Sequence, residues 1–271
     1  MIYGAITNSW RLQLEDRDLK DLVKEAQARG AHHIELRQTC LGNCESGEGQ
    51  SWRPEFANLT NVVESFTDMS FNLALAWPCL TAKTDASGDQ FQSALKAADL
   101  VNPDHPHLRL VDPTRFGVAW ETPNDLPENA LALANLAREA ADKGVILSIE
   151  NSGQPIRSMA LLVNDLRAVL SEEQGRLLGL CPDAINQMRR FPDSDPIAEL
   201  EALPVDMIKI VHFKQTRDGE PIPMVNVGDL DCIRMMNVLK AKHYEGPVVM
   251  EIPPHEDVFD NLSTSFAYLW D

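Results

Sequence analysis

The sequence predicts a single (β/α)₈ barrel, and three observations carry that expectation. Short apolar runs alternate with helical periodicity from end to end, without a linker or a composition break. Eight such units in 271 residues give about 34 residues each, the ordinary size for this fold. Several runs also end abruptly in a polar residue. The plainest is Val145-Ile146-Leu147-Ser148-Ile149-Glu150-Asn151, which follows a helical pattern closed by Gly144 and reads as a buried parallel strand with a carboxylate at its tip. The competing doubly wound sheet requires a Gly-rich turn after the first strand, and Thr7-Asn8-Ser9-Trp10 is not one. One domain, residues 1–271, is expected.

The elements follow in order. A first strand at 4–7 precedes a helix over 18–29, whose apolar positions are Leu19, Leu22, Val23 and Ala26, and Gly30 closes it. Strand two spans 32–36 and opens into a polar loop, 37–54, read as a lid. A helix over 56–69 leads to strand three, 71–76, with Trp77 at its tip. A helix over 90–100 leads to strand four, 108–111, tipped by Asp112. After helix 129–143 and the Glu150 strand come helix 158–170, with Ser158 as N-cap, and strand six at 177–181. Helix 197–203, strand seven at 207–211, helix 229–242 and strand eight at 247–251 complete the chain.

Composition narrows the function. Forty-one acidic against 24 basic residues give a net charge of −17, which repels phosphate backbones, so nucleic acid is excluded as a partner. No apolar run reaches the length of a membrane span, and no signal-like stretch precedes the first strand; a cytoplasmic protein is expected. Five cysteines at irregular spacing fit reduced thiols, and Cys40 and Cys44 have the wrong spacing for a zinc knuckle.

The tips of the last four strands carry the chemistry. Glu150, Asp183, His212 and Glu251 are separated by 33, 29 and 39 residues, one unit each, so adjacent strands deliver a metal-competent group to the same rim. Alternation agrees: Ile146, Ser148 and Glu150 share a face, as do Gly179, Cys181 and Asp183, and Ile208, Ile210, His212 and Lys214. Lys209 is then turned outward among the helices, and snorkelling must accommodate it. Three converging carboxylates repel unless a cation joins them. Three oxygens and an imidazole suit Mn²⁺ or Mg²⁺, with Co²⁺ or Zn²⁺ as alternatives. Taken singly, each residue reads better as a solvated strand-end carboxylate or an ordinary core histidine; four in consecutive units at matching depth read as a metal site.

The rest of the rim would form a substrate wall. Trp10, Arg37, Trp77, Asp112 and Arg115 lie at or just beyond the tips of the first four strands. Trp10 and Trp77 offer faces for a sugar ring or pack the barrel mouth. Arg37 is expected to pair with Glu35, with a substrate oxygen as the alternative. Lys214 is a substrate-orienting cation, and His255 is either a spare acid or base or an exposed loop histidine. His32, His33, His105 and His107 precede strands and fall on the opposite face from the chemistry.

An ordered set of short motifs resembles the xylose isomerase-like superfamily of sugar isomerases, epimerases and related lyases. Ser148-Ile149-Glu150-Asn151 resembles its strand-five glutamate, Gly179-Leu180-Cys181-Pro182-Asp183 its strand-six aspartate, and Val211-His212-Phe213-Lys214 its strand-seven His-x-Lys. Val227-Gly228-Asp229-Leu230-Asp231 resembles the turn ahead of the last helix, and Gly246 to Glu251 the final strand. The likeness is strong after Asn129 and weak before it. Members that epimerise free ketoses often carry a histidine three residues after the strand-six aspartate; Asn186 stands there, and it is a further candidate for substrate contact. The DNA-repair branch needs additional histidines that this chain lacks. The resemblance implies a metal-dependent isomerase or epimerase acting through an enediolate, with Glu150 and Glu251 as acid and base. The alternative is a lyase acting on a keto-sugar, keto-glycoside or dehydroshikimate-like acid, and a non-catalytic sugar-binding barrel is the remote one. The expected partner is a small carbohydrate or keto-sugar, and a homo-oligomer is possible on this reading.

Overall fold

The computed structural model describes residues 1–82, 84–114 and 116–270. Eight parallel strands form the barrel: β1 Ile2–Ile6, β2 His33–Arg37, β3 Ser70–Ala76, β4 His107–Val111, β5 Ile146–Glu150, β6 Leu178–Cys181, β7 Val211–Phe213 and β8 Pro247–Met250. The pairing runs β6-β5-β4-β3-β2-β1-β8-β7. Single bridges, Leu180 to Ile208 and Asp183 to His212, close the remaining gap between β6 and β7. No helix is long and apolar enough to cross a membrane among the described residues.

The main helices are α1 Leu19–Ala28, α2 Phe56–Val63, α3 Asp89–Val101, α4 Leu133–Asp142, α5 Ile156–Ala168, α6 Pro196–Ala202, α7 Cys232–Ala241 and α8 Val258–Trp270. Each lays an apolar stripe on the strands; Leu19, Leu22, Val23 and Ala26 of α1 are all buried. Gly30 and Gly144 follow their helices at φ +99° and +72°, the left-handed geometry that ends a helix. Helix α8 has no counterpart in the sequence reading. Its Val258, Phe259, Leu262, Phe266 and Leu269 are buried at the spacing of an amphipathic helix.

Four expectations are corrected. Ser158 is not an N-cap, because α5 begins two residues earlier; its hydroxyl donates to the Trp120 carbonyl and accepts from the Trp120 amide. Strand seven is shorter and later than 207–211, because residues Val205–Met207 form a 3₁₀ turn. A side chain at Gly179 would strike the Met207 carbonyl at 2.4 Å, so β6 and this turn pack in backbone contact. Lys209, expected outward, instead lies against Gly179 and lines the floor of the barrel with His33 and His107, while Ile208 joins the larger core. Its ammonium donates to the Arg176 carbonyl at 2.7 Å, and burial pushes its pKa down to about 8.

The fourth correction concerns loop 37–54, which is packed rather than loose. Two 3₁₀ turns and a two-residue antiparallel pairing, Glu45–Ser46 with Arg53–Pro54, give it shape. Leu41, Cys44 and Trp52 are buried, and the Glu45 carboxylate accepts from the amides of Thr39 and Leu41 and from the Trp52 indole at 2.6 Å. Polar composition hid these three anchors. Trp52→Ala is expected to cost about 3–5 kcal/mol, the range for removing a buried aromatic. Limited proteolysis should spare the loop in the native protein and cut it in this variant.

Candidate active site

The inward faces of the strands divide the barrel interior in two. Ile6, Cys181, Ile210 and Val249 form a small apolar cluster of their own. Opposite them β2, β3 and β4 turn His33, Glu35, Asn72, His107 and Arg109 inward, all buried. His33 donates or accepts between Ser70 and Asn72 at 2.8 Å each, and burial pushes its pKa down to about 4. These two histidines sit deep in the barrel and are structural.

At the C-terminal end of the strands the structure brings Glu150, Asp183, His212 and Glu251 together. One ligating atom from each lies within 4.8 Å of all the others. Local structure explains the placement. Glu150 ends β5 in register with Cys181. The Asp183 amide donates to the Asn151 side chain at 2.7 Å, while Asn151 donates back to the Asp183 carbonyl. Asp183 also caps the short helix Ala184–Met188, its Oδ1 accepting from the Asn186 amide, which leaves Oδ2 turned to the centre. His212 lies within β7 in register with Val249, and the Glu251 amide donates to Phe213 just beyond β8.

Hydrogen bonds organise the cluster from behind. The Glu35 carboxylate accepts from His212 Nε2 at 2.7 Å, which directs Nδ1 toward the carboxylates. Arg109 grips Glu35 through Nε and Nη2 at 2.9 and 3.1 Å and Glu150 through Nη1 at 2.6 Å. Asn72 donates to Glu35 Oε1 at 3.1 Å, Asn186 to Glu150 Oε1 at 2.9 Å, and Asn8 to Glu251 Oε1 at 2.8 Å. Asp183 Oδ2, His212 Nδ1 and Glu251 Oε2 then lack a hydrogen bond of good geometry, but they are in close polar contact: His212 Nδ1 lies 2.8 Å from Glu251 Oε2, and the Lys214 ammonium reaches both carboxylates. Buried polar atoms of native proteins are nearly always satisfied. The convergence of these three atoms and a Glu150 oxygen on one point, with Lys214 as the protein's own cation beside them, fits a cation bound there.

Electrostatics agree with that donor set. Burial, with Glu150 and Glu251 nearby, raises the pKa of Asp183 despite Lys214. Burial would raise Glu150 as well, but Arg109, His212 and Lys214 outweigh it and hold the pKa low. Burial alone would lower His212; Cys181, Glu35 and Glu150 reverse this and hold its pKa well above the ordinary value. Binding of an ion at Nδ1 therefore displaces a proton, so affinity should weaken as pH falls. The Lys214 ammonium lies 2.7 Å from Asp183 Oδ2 and 3.0 Å from Glu251 Oε2. It balances the same two oxygens that an ion would use.

The other expected rim residues divide. Asn186 and Lys214 are at the cluster, 3.4 Å from one another. Arg37 does not pair with Glu35, whose oxygens are taken by Arg109, Asn72 and His212. Trp10 is buried in the core against Phe259, with ring centroids 5.6 Å apart, and presents no face to the mouth. Trp77 is half-buried, packs edge-on against Phe91 and lines a cavity of about 330 Å³ with Gln50, Arg53 and Asp85. Asp112 is buried and engaged with the Leu80 and Thr114 amides, so it holds loops rather than substrate. His255 is exposed, with Asp257 3.8 Å away, and makes no contact with the cluster among the described residues. Arg115 lies outside the described residues. Of the larger grooves, one of about 600 Å³ lined by Trp120, Leu161, Pro204 and Met207 is on the flank, between α5 and α6, away from this chemistry.

Glu35, Arg109, Asn8 and Asn72 are absent from the sequence reading of the site. Alternation contains the signal for the first two: Glu35 shares a face with Arg37, and Arg109 is a charged residue in the middle of Leu108-Arg109-Leu110.

Solved structures share this architecture over nearly the whole chain. The probable 3-DHS dehydratase AsbF involved in petrobactin synthesis from Bacillus anthracis aligns with TM-score 0.75 at 13% identity, covering 100% of this chain and 99% of that one. The IolI protein with a binding zinc atom gives 0.69 at 16%, covering 99% and 95%. An L-ribulose 3-epimerase gives 0.65 at 17%, covering 100% and 87%. At such identities the likeness speaks for the fold. No curated protein matches the sequence. The family pattern of the xylose isomerase-like TIM barrel, however, matches residues 11–268, and the chain belongs to that family.

Proposed function

We propose that the protein is a divalent-metal-dependent sugar isomerase or epimerase that moves a proton next to a carbonyl. The observation that carries this reading is the convergence of Glu150, Asp183, His212 and Glu251, one ligating atom of each within 4.8 Å of the others. Those four residues would hold the ion, and Mn²⁺ or Mg²⁺ suits the three oxygens and one nitrogen best. When bound, such an ion supplies Lewis-acid polarisation of a hydroxy-carbonyl pair.

The chain's own groups do the rest. Glu150 and Glu251 come from the outer strands of the four and can flank a substrate. One carboxylate takes the proton from carbon; the C–H pair becomes the new C=C bond and the carbonyl pair moves to oxygen, giving an enediolate. The other returns a proton to the same carbon from the opposite side, or to the neighbouring carbon. Glu251 Oε2 meets only His212 Nδ1 and the Lys214 ammonium, at 2.8 and 3.0 Å, among the described residues, whereas both Glu150 oxygens accept a hydrogen bond, from Arg109 and Asn186. Lys214 and Asn186 are placed to orient substrate oxygens.

A second reading is elimination from a keto acid by the same proton abstraction. Asn186 in place of the histidine of ketose epimerases favours it, as does the likeness to the probable 3-DHS dehydratase. The epimerases and zinc-binding IolI among similar structures support the first reading. A sugar-binding barrel without turnover would predict a displaced ligand residue, and the four stand together. Incubating Mn²⁺-loaded protein in D₂O with ketoses and polyhydroxy keto acids tests both enzymatic readings. Loss of a single C–H signal by NMR is expected for isomerisation or epimerisation, and release of water for elimination. Absence of exchange and of elimination across the whole set would overturn the enzymatic proposal.

A further inference from the structure

We propose that the substrate carries a carboxylate and that Arg37 receives it; the inference rests on the metal reading above. Arg37 is the last residue of β2 and shares a face with Glu35, which points into the barrel toward His212. Its guanidinium therefore enters at the rim where the four candidate ligands converge. On the neighbouring β1, Asn8 at the strand end holds Glu251.

Arg37 is half-buried, and among the described residues its side chain hydrogen-bonds only to the Gln38 carbonyl, to which Nη1 donates at 2.7 Å. Among the described residues no carboxylate lies within ion-pair distance of it, whereas Arg109 holds two. A guanidinium has five N–H donors in a planar fork that matches a carboxylate. Most of that fork is uncommitted among the described residues; Glu251 and Glu150 are near enough to act on its charge but do not pair with it, so its donors are open to a ligand.

The local charge points the same way. Four carboxylates (Glu35, Glu150, Asp183, Glu251) face Arg37, Arg109, Lys214 and the protonated His212, and the charges balance. A divalent ion adds two charges and displaces the His212 proton, leaving one positive charge in excess. A neutral sugar leaves that excess in place, while a monoanion cancels it. The chain as a whole is strongly acidic at −17, so a positive site here is a local construction and not a reflection of composition. The ligand class is a polyhydroxylated keto acid: a hydroxy-carbonyl unit for the cluster and a carboxylate for Arg37.

Quinate and myo-inositol, a cyclic polyol with and without a carboxylate, are suitable probes. Calorimetric titration of the wild-type protein with Mn²⁺ comes first, then each probe into the loaded protein. The expected result is quinate binding at least about tenfold tighter than myo-inositol, as for one charge-assisted pair. Because quinate can also approach the ion directly, the Arg37→Met variant decides. It should lose about 10–100-fold in quinate affinity with Mn²⁺ and myo-inositol affinities and melting temperature unchanged, and Arg37→Lys should recover part of the loss. Unchanged quinate affinity in Arg37→Met, equal affinity for the two probes, or no quinate binding by the loaded wild type would overturn the inference. Failure of the first Mn²⁺ titration would instead overturn the metal reading, and this inference with it.

Discussion

Glu251→Gln should lower turnover by about 10²–10⁴ while the fold is retained, the range for losing a general acid or base. The substitution keeps an oxygen that can still accept from Asn8, so the hydrogen bond at Oε1 survives. What is lost is the anionic oxygen Oε2, which faces His212 Nδ1 and Lys214 at the centre of the cluster. Glu150→Gln should abolish turnover as well, but less cleanly. Both Glu150 oxygens accept from donors, Arg109 and Asn186, and an amide can satisfy only one of them, at a cost of about 1–3 kcal/mol for the other. Asp183→Asn should act through ion affinity, so excess Mn²⁺ should restore it in part. The comparison is turnover beside ion content for the three variants. Equal rescue of all three by excess Mn²⁺ would make the glutamates ligands alone and move the search for the base to Lys214.

The second large effect is expected at a residue that never meets substrate on this account. Arg109→Met removes the cation shared by two buried carboxylates, Glu35 and Glu150, which are 0% and 5% exposed. Breaking a buried ion pair from one side costs about 3–5 kcal/mol, because an uncompensated charge remains. For a chain of this length that corresponds to a fall in melting temperature on the order of 10 °C. Arg109→Lys should be intermediate, since an ammonium restores the charge without the fork that spans both acids. A melting temperature within about 2 °C of wild type in Arg109→Met would show that the network is not the brace described here.

The parts of the fold that the sequence revealed are those where one strand face is apolar and its tip is not. Val145 to Asn151 is the clearest case, and the interval from each tip to the next placed the four candidate ligands on one rim before any geometry was known. Strand seven was misjudged because its regular part is only three residues long and its approach is a 3₁₀ turn packed against Gly179. Loop 37–54 was misjudged because its anchors Leu41, Cys44 and Trp52 are isolated among Gly, Ser and Glu, with no period to expose them. Trp10 sits beyond β1 as a rim residue should, yet the side chain turns into the core against α8, an element absent from the sequence reading.

The brace behind the cluster was hidden for a different reason. Glu35 and Arg109 are 74 residues apart on strands that are not neighbours, and Glu35 meets His212 across 177 residues. Periodicity shows which way each side chain faces but not which one it meets across a barrel. Inward charge in mid-strand was the available sign. A buried charge of that kind needs a partner from another strand, and Glu35 and Arg109 each supply what the other lacks.

The most direct test of the metal centre is a calorimetric titration of chelator-treated protein with Mn²⁺, run beside the His212→Ala variant. The wild type should take up one ion per chain, with affinity that weakens as pH falls because the proton held on His212 competes for Nδ1. His212→Ala should bind no ion at comparable concentration and retain native secondary structure. No stoichiometric uptake by the wild type, or uptake unchanged in His212→Ala, would contradict a centre built from Glu150, Asp183, His212 and Glu251.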